Sequence, residues 1–140
     1  MRLALVPVLV PLAWSAAVAQ PAESGRPVFD DHAGVRAELD RLMAARDLVA
    51  VAERFAPPRT RSLGRARVLQ ESLQERVAPL DNSAVMREAE TAAGFRREVI
   101  AYWAGDTYAY AYLHTHARGD GIVVLDFRLT GDVREISDWW

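Results

Sequence analysis

Between Thr107 and His116 the chain reads Thr-Tyr-Ala-Tyr-Ala-Tyr-Leu-His-Thr-His, with a ring at every second position from Tyr108 onward. On a helix that spacing scatters the rings around the axis, whereas on a strand it lines them along one face. Gly105-Asp106 before this stretch and Gly119-Asp120 after it are two-residue hairpin signals, because Gly and Asp tolerate the positive φ of tight turns. Counting outward from those turns predicts the register. Trp103 meets Tyr108, Ala101 meets Tyr110, Val99 meets Tyr112, Arg97 meets His114 and Phe95 meets His116. On the second hairpin His116 meets Val123, His114 meets Leu125, Tyr112 meets Phe127 and Tyr110 meets Leu129. One face then gathers Phe95, Val99, Trp103, the three tyrosines, Val123, Leu125, Phe127 and Leu129. Arg96, Glu98, Tyr102, Asp126 and Arg128 fall on the other face, with Ile100, Leu113 and Val124 among them. A slip of one residue would destroy that sorting. A further Gly131-Asp132 pair predicts a short returning strand that sets Ile136 beside Phe127.

Upstream the period changes to that of helices. Asp30-Asp31 can cap a helix over residues 33–45 that puts Val35, Leu39, Leu42 and Met43 on one side. Asp47 can cap a second, Leu48–Phe55, which Pro57-Pro58 ends. Thr60 or Ser62 opens a third, with Leu69, Leu73 and Val77 one turn apart and Pro79 as its stop. Residues 83–93 have helical composition but lie where a first strand should pair with residues 95–104, and the strand reading is preferred. Helices followed by three to four meandering antiparallel strands predict an α+β fold whose helices cover the aromatic face.

The chain opens as a secretory signal. Arg2 precedes an apolar run, and Ala17-Val18-Ala19 fits the small-x-small rule for cleavage before Gln20. Pro7, Pro11 and a run short of the roughly 20 residues needed to span a bilayer argue against an anchor. The expected organisation is a signal peptide at 1–19, a flexible leader at 20–32, one domain at 33–136 and a tail at 137–140, exported to a periplasm or the exterior. With no cysteine, disulfides, thiol nucleophiles and cysteinyl metal sites are excluded. Loss of Arg2 takes the formal net charge from −2 to −3, which gives no general attraction to nucleic acid. All 17 basic residues are Arg.

The order of these elements, the segment Ala45-Arg46-Asp47-Leu48-Val49-Ala50-Val51-Ala52-Glu53-Arg54-Phe55-Ala56-Pro57, and the closing strand Gly121-Ile122-Val123-Val124-Leu125-Asp126-Phe127-Arg128-Leu129 resemble the NTF2-like superfamily. The similarity is nearest to its small exported members and covers about residues 33–130. It implies a cone of helices against a curved antiparallel sheet, often dimerising through the sheet's outer face. The superfamily includes ketosteroid-isomerase-like enzymes, dehydratases and cyclases as well as non-catalytic binding modules. No enzyme's catalytic set maps onto this chain residue by residue, and a fold does not carry its function with it.

Each candidate site has a plainer structural reading beside it. His114 and His116 stand on one face of a strand about 6.5–7 Å apart, as an acid–base pair or as two metal ligands lacking a third. Glu90 would supply that third group only from a suitably registered first strand, in a row with Arg97 and His114. Trp103, Tyr108, Tyr110 and Tyr112 could line a pocket for a small apolar ligand, with Arg97 and His114 as polar contacts, or could be core. Arg59, Arg61, Arg65 and Arg67 form a basic patch suited to an anionic lipid or polymer, or to plain solvation. Arg118-Gly119-Asp120 spells an adhesion tripeptide whose Gly-Asp the turn already explains. Gly-x-Ser-x-Gly, His-Glu-x-x-His and phosphate-loop patterns are missing, and no cofactor or metal is implied. The leading expectation is a non-catalytic exported domain, homodimeric through its sheet, that binds a small molecule or a partner. The alternatives are a small isomerase- or dehydratase-like enzyme using His114 or His116 with a tyrosine, and an envelope assembly subunit.

Overall fold

The computed structural model describes residues 26–57, 62–74 and 79–139. The signal at 1–19, Arg59, Arg61, Val77 and Trp140 lie outside the described residues. At the start of α1 (His32–Ala44) the Asp31 carboxylate accepts the Gly34 N–H at 2.6 Å. At the start of α2 (Leu48–Phe55) the Asp47 carboxylate accepts the Ala50 N–H at 3.0 Å. Both caps satisfy donors that a helix start leaves open. Arg46 turns the chain between these helices at φ 58°, and the Asp47 N–H closes the turn on the Leu42 carbonyl at 3.1 Å. α1 buries Val35, Leu39, Leu42 and Met43, and α2 buries Leu48, Val51 and Phe55, as their spacing predicts. α3 (Ser62–Gln74) sinks Ala66 and Leu73, and its Gln70 side-chain oxygen accepts the Val49 N–H of α2 at 3.1 Å.

The strands β1 (Val28–Phe29), β2 (Asn82–Glu90), β3 (Phe95–Ala104), β4 (Thr107–Arg118) and β5 (Gly121–Thr130) form an antiparallel sheet in the order β1-β5-β4-β3-β2. The fold is therefore α+β, and residues 82–90 are a strand. Five strands replace the expected three to four. The extra one is Val28–Phe29, which falls within the presumed leader and pairs with Val123 and Ile122 at the sheet edge. Phe29 secures it by stacking on Phe55 of α2 at 5.2 Å, with the Arg54 guanidinium 3.9 Å from its ring centroid.

The β3–β4 register is the one counted from Gly105-Asp106, from Trp103 opposite Tyr108 down to Phe95 opposite His116. On β5 the count holds at His116 opposite Val123 and then fails. A bulge at Leu125 sets His114 opposite Asp126, Tyr112 opposite Arg128 and Tyr110 opposite Thr130. One extra residue exchanges the faces of everything beyond it. Phe127 and Leu129 thus join the helix-covered side, where Phe127 meets Phe55 at 5.6 Å.

The larger correction concerns which face the helices cover. They pack on Ile100, Tyr102, Ala109, Ala111, Leu113 and Val124, not on the tyrosine row. Ala109 and Ala111 leave room for helices to approach closely, which Tyr108, Tyr110 and Tyr112 would not. The tyrosine side is met instead by a C-terminal 3₁₀ helix, Val133–Trp139, which buries Ile136 and Trp139 against Val99, Ala101, Tyr110 and Tyr112. This helix also replaces the expected returning strand. Asp132 accepts the Arg134 N–H on its carboxylate at 2.9 Å and the Glu135 N–H on its carbonyl at 3.1 Å, winding the chain instead of extending it. Glu90 is likewise displaced: it faces Arg96, 3.5 Å away, on the helix side, so it stands across the sheet from Arg97 and His114.

Candidate functional site

The outer face of the sheet, opposite α1 and α2, holds all six residues expected to contact a ligand: Arg97, Trp103, Tyr108, Tyr110, Tyr112 and His114. It does not bring them into one pocket, because the 3₁₀ helix lies across the middle. Tyr110 and Tyr112 are buried beneath it, with Trp139 6.2 Å from the Tyr112 ring. At one end a ladder of rings remains: Trp103 to Tyr108 and Tyr108 to Tyr110, each 6.1 Å between centroids, with Tyr108 42% exposed. At the other end Phe95, 37% exposed, stacks on His116 at 4.0 Å with the rings 5° from parallel. Met86 and Arg87 of β2 line a groove of ≈ 310 Å³ with Val133, Ile136 and Ser137 of the 3₁₀ helix.

The polar groups of this face gather near His114. Arg97 lies close enough to Tyr112 for its charge to oppose the rise that burial gives the phenol's pKa. The Arg128 guanidinium lies 5.5 Å from the Tyr112 ring centroid and pairs with Asp126 at 2.9 Å. Burial lowers the His114 pKa, Arg97 and His116 lower it further, and Asp126 opposes them. His114 is thus held as neutral imidazole at neutral pH. The Tyr112 phenol is raised above its ordinary value by burial. His116 places Nε2 3.2 Å from the Ala93 carbonyl, a contact it makes as donor. This set can hydrogen-bond an anion or a partner's carboxylate, with Arg97 as the charge. Among the described residues no three His, Cys, Asp or Glu stand together as a metal site.

Sequence reasoning missed a second cluster, on the helix side. Tyr102 is buried and donates its hydroxyl to Asp40 Oδ1 at 2.7 Å. Arg36 donates to the same oxygen at 2.8 Å and to the Ser83 hydroxyl at 3.1 Å, and its guanidinium lies 5.9 Å from the Tyr102 ring. Below them Glu98 is buried and receives Arg96 at 3.1 Å, while Arg96 also reaches Glu88 at 3.1 Å. Two signals were available: the four-residue spacing of Arg36 and Asp40, and Tyr102 as the one tyrosine off the row. The cluster ties α1 to β3 and β2, and burial with the bond to Asp40 holds the Tyr102 phenol well above its ordinary range.

Compared with known proteins, the chain matches no family model, no curated protein and no solved structure. Among the described residues no helix is long and apolar enough to cross a membrane.

Proposed function

We propose that this is a non-catalytic, NTF2-like binding domain whose working surface is the outer face of its sheet and whose first occupant there is a second copy of the chain. The observation that carries the reading is the exposed aromatic frame around the 3₁₀ helix. Trp103 and Tyr108 lie at one end and Phe95 with His116 at the other, while Met86 and Val133 stand about half exposed beside it. Apolar patches of this kind mark interaction surfaces. The opposite face is closed by α1 and α2, and Ile100, Tyr102, Leu113 and Phe127 beneath them are almost wholly buried. That packing supports a partner on the outside over a small molecule inside the cone.

A second copy fits because the ends of the sheet differ in charge. The Trp103 end carries Asp81 and Asp106, and the cation of the Phe95 end is Arg97, beside the neutral His114. An isologous face-to-face pair with antiparallel strands brings each acidic end to its partner's basic end. Sedimentation equilibrium should report a dimer, and Met86→Asp with Tyr108→Glu should return it to monomer and abolish the rise of melting temperature with concentration that the wild type shows. A wild-type chain that stays monomeric up to its solubility limit overturns the reading. We also propose export with cleavage after Ala19, on the apolar run and Ala17-Val18-Ala19. Mass spectrometry of the protein from its host should then give a chain beginning at Gln20.

A further inference from the structure

The 3₁₀ helix over Val133–Trp139 is a weak cover for the middle of a sheet. Its seven residues exceed the three or four at which such helices normally stop, because their hydrogen bonds are poorly aligned. Among the described residues it buries two side chains, Ile136 and Trp139, which the three-residue turn sets one above the other. A further tie to the body is Arg65 to Glu135 at 3.1 Å, an exposed pair of the kind that contributes little. The seat beneath the helix, made of Val99, Ala101, Tyr110 and Tyr112, is a core separate from the one under α1 and α2. Lifting the helix therefore opens the smaller core and leaves the larger one closed. Gly131-Asp132 is the whole of the link between Thr130, where β5 ends, and Val133.

We propose that the 3₁₀ helix is exchanged in the dimer, so that Ile136 and Trp139 of each copy fill the seat of the other. The exchange rests on the face-to-face pair proposed above and adds where its helices lie. In that pair both 3₁₀ helices stand between the two sheets, and a helix that leaves its own seat meets an identical one. A second copy is the fitting occupant because the match is already made within one chain: Ile136 and Trp139 pack on this seat, with the Trp139 ring 6.2 Å from that of Tyr112. Their contacts are the same in either seat, so exchange costs little beyond straightening the Gly131-Asp132 link. A seat left empty would instead add Tyr110 and Tyr112 to the apolar surface that Trp103, Tyr108 and Phe95 already expose.

The chain has no cysteine, so two can be placed where they report alone. Met86 of β2 and Ser137 of the 3₁₀ helix line one groove, and both are exposed. The full chain carrying Met86→Cys and Ser137→Cys is equilibrated at a range of concentrations, treated briefly with a short bismaleimide and run on a denaturing gel. Where sedimentation equilibrium shows this variant to be a dimer, the crosslink should join two chains. At dilutions where it is a monomer, each helix is back in its own seat and the crosslink should fall within one chain. Subunit mixing gives a second readout, followed by native mass spectrometry of isotope-labelled and unlabelled wild-type copies. Both helices must leave their seats before exchanged copies part. Ile136→Val removes one buried methylene from that grip and should speed mixing about fivefold per helix. A dimer whose crosslinks form within single chains, or that mixes at the wild-type rate with Ile136→Val, overturns the exchange and leaves the dimer standing. A chain that never dimerises removes both.

Discussion

The Tyr102–Asp40 contact shows how one side chain can be misread when its neighbours are uniform. Tyr102 follows the polar residues Arg96 and Glu98 at alternate positions, which places it on the face opposite the tyrosine row. In the fold that face is the one beneath the helices, and the phenol survives burial because it donates a 2.7 Å hydrogen bond to Asp40. Tyr102→Phe should cost about 1.5 kcal/mol in urea unfolding, the low end for a bond to a charged acceptor, because Arg36 still holds Asp40. The phenols also set an alkaline limit. Tyr102, Tyr110 and Tyr112 are all raised above 10.0 in the fold, chiefly by burial. An unfolded chain releases those protons near pH 10 while the native one keeps them. Stability is therefore complete below about pH 10 and falls as pH rises beyond it. The slope of unfolding free energy against pH in that range should be shallower in Tyr102→Phe.

At the level of elements, the features legible in the sequence were those fixed by local chemistry. Asp31, Asp47 and the two Gly-Asp pairs act over a few residues, so the caps of α1 and α2 and the β3–β4 register could be counted from them. The features that could not be read depend on distant partners. The Leu125 bulge has no composition signal; it lets Phe127 turn towards Phe55, a residue more than seventy positions upstream. The choice of face was equally hidden, since β3 and β4 are apolar on both sides and what separates them is the small size of Ala109 and Ala111 against Tyr108, Tyr110 and Tyr112. β1 was missed because two residues are too short a run to show alternation. Its pairing makes Gly121 a sensitive point. This glycine sits at φ 128° beneath the Phe29 carbonyl, where a Cβ would collide with backbone. Gly121→Ala should cost about 2–3 kcal/mol, the size of one strained backbone position, and should detach β1 before it unfolds the sheet. Loss of the Val124 N–H bond to the Pro27 carbonyl, now 3.0 Å, would report the detachment by amide exchange.

Among the described residues the molecule is a sheet with a core on each side, unequal in size: three helices on one face and a single 3₁₀ helix on the other. β3 and β4 are central and covered twice, whereas β2 is an edge strand exposed along nearly its full length. Protection should follow that order. The amides of Val99–Tyr102 and Ala109–Leu113 should exchange slowest, near the rate of global unfolding, and the β2 amides that point away from β3 fastest. The same measurement separates two ways of pairing copies. Association across the aromatic face leaves the open edge of β2 unpaired, so its outward amides should stay fast however concentrated the protein. Pairing of β2 with β2 of another copy would close that edge and slow those amides together. Met86, with Arg87, Glu88 and Glu90 after it, argues for the face: the sheet register shifts at Met86, and a kinked, charged edge is a poor template for another strand. Fast β2 amides in a dimer that Tyr108→Glu dissolves would fit this arrangement, and concentration-dependent protection along β2 would overturn it.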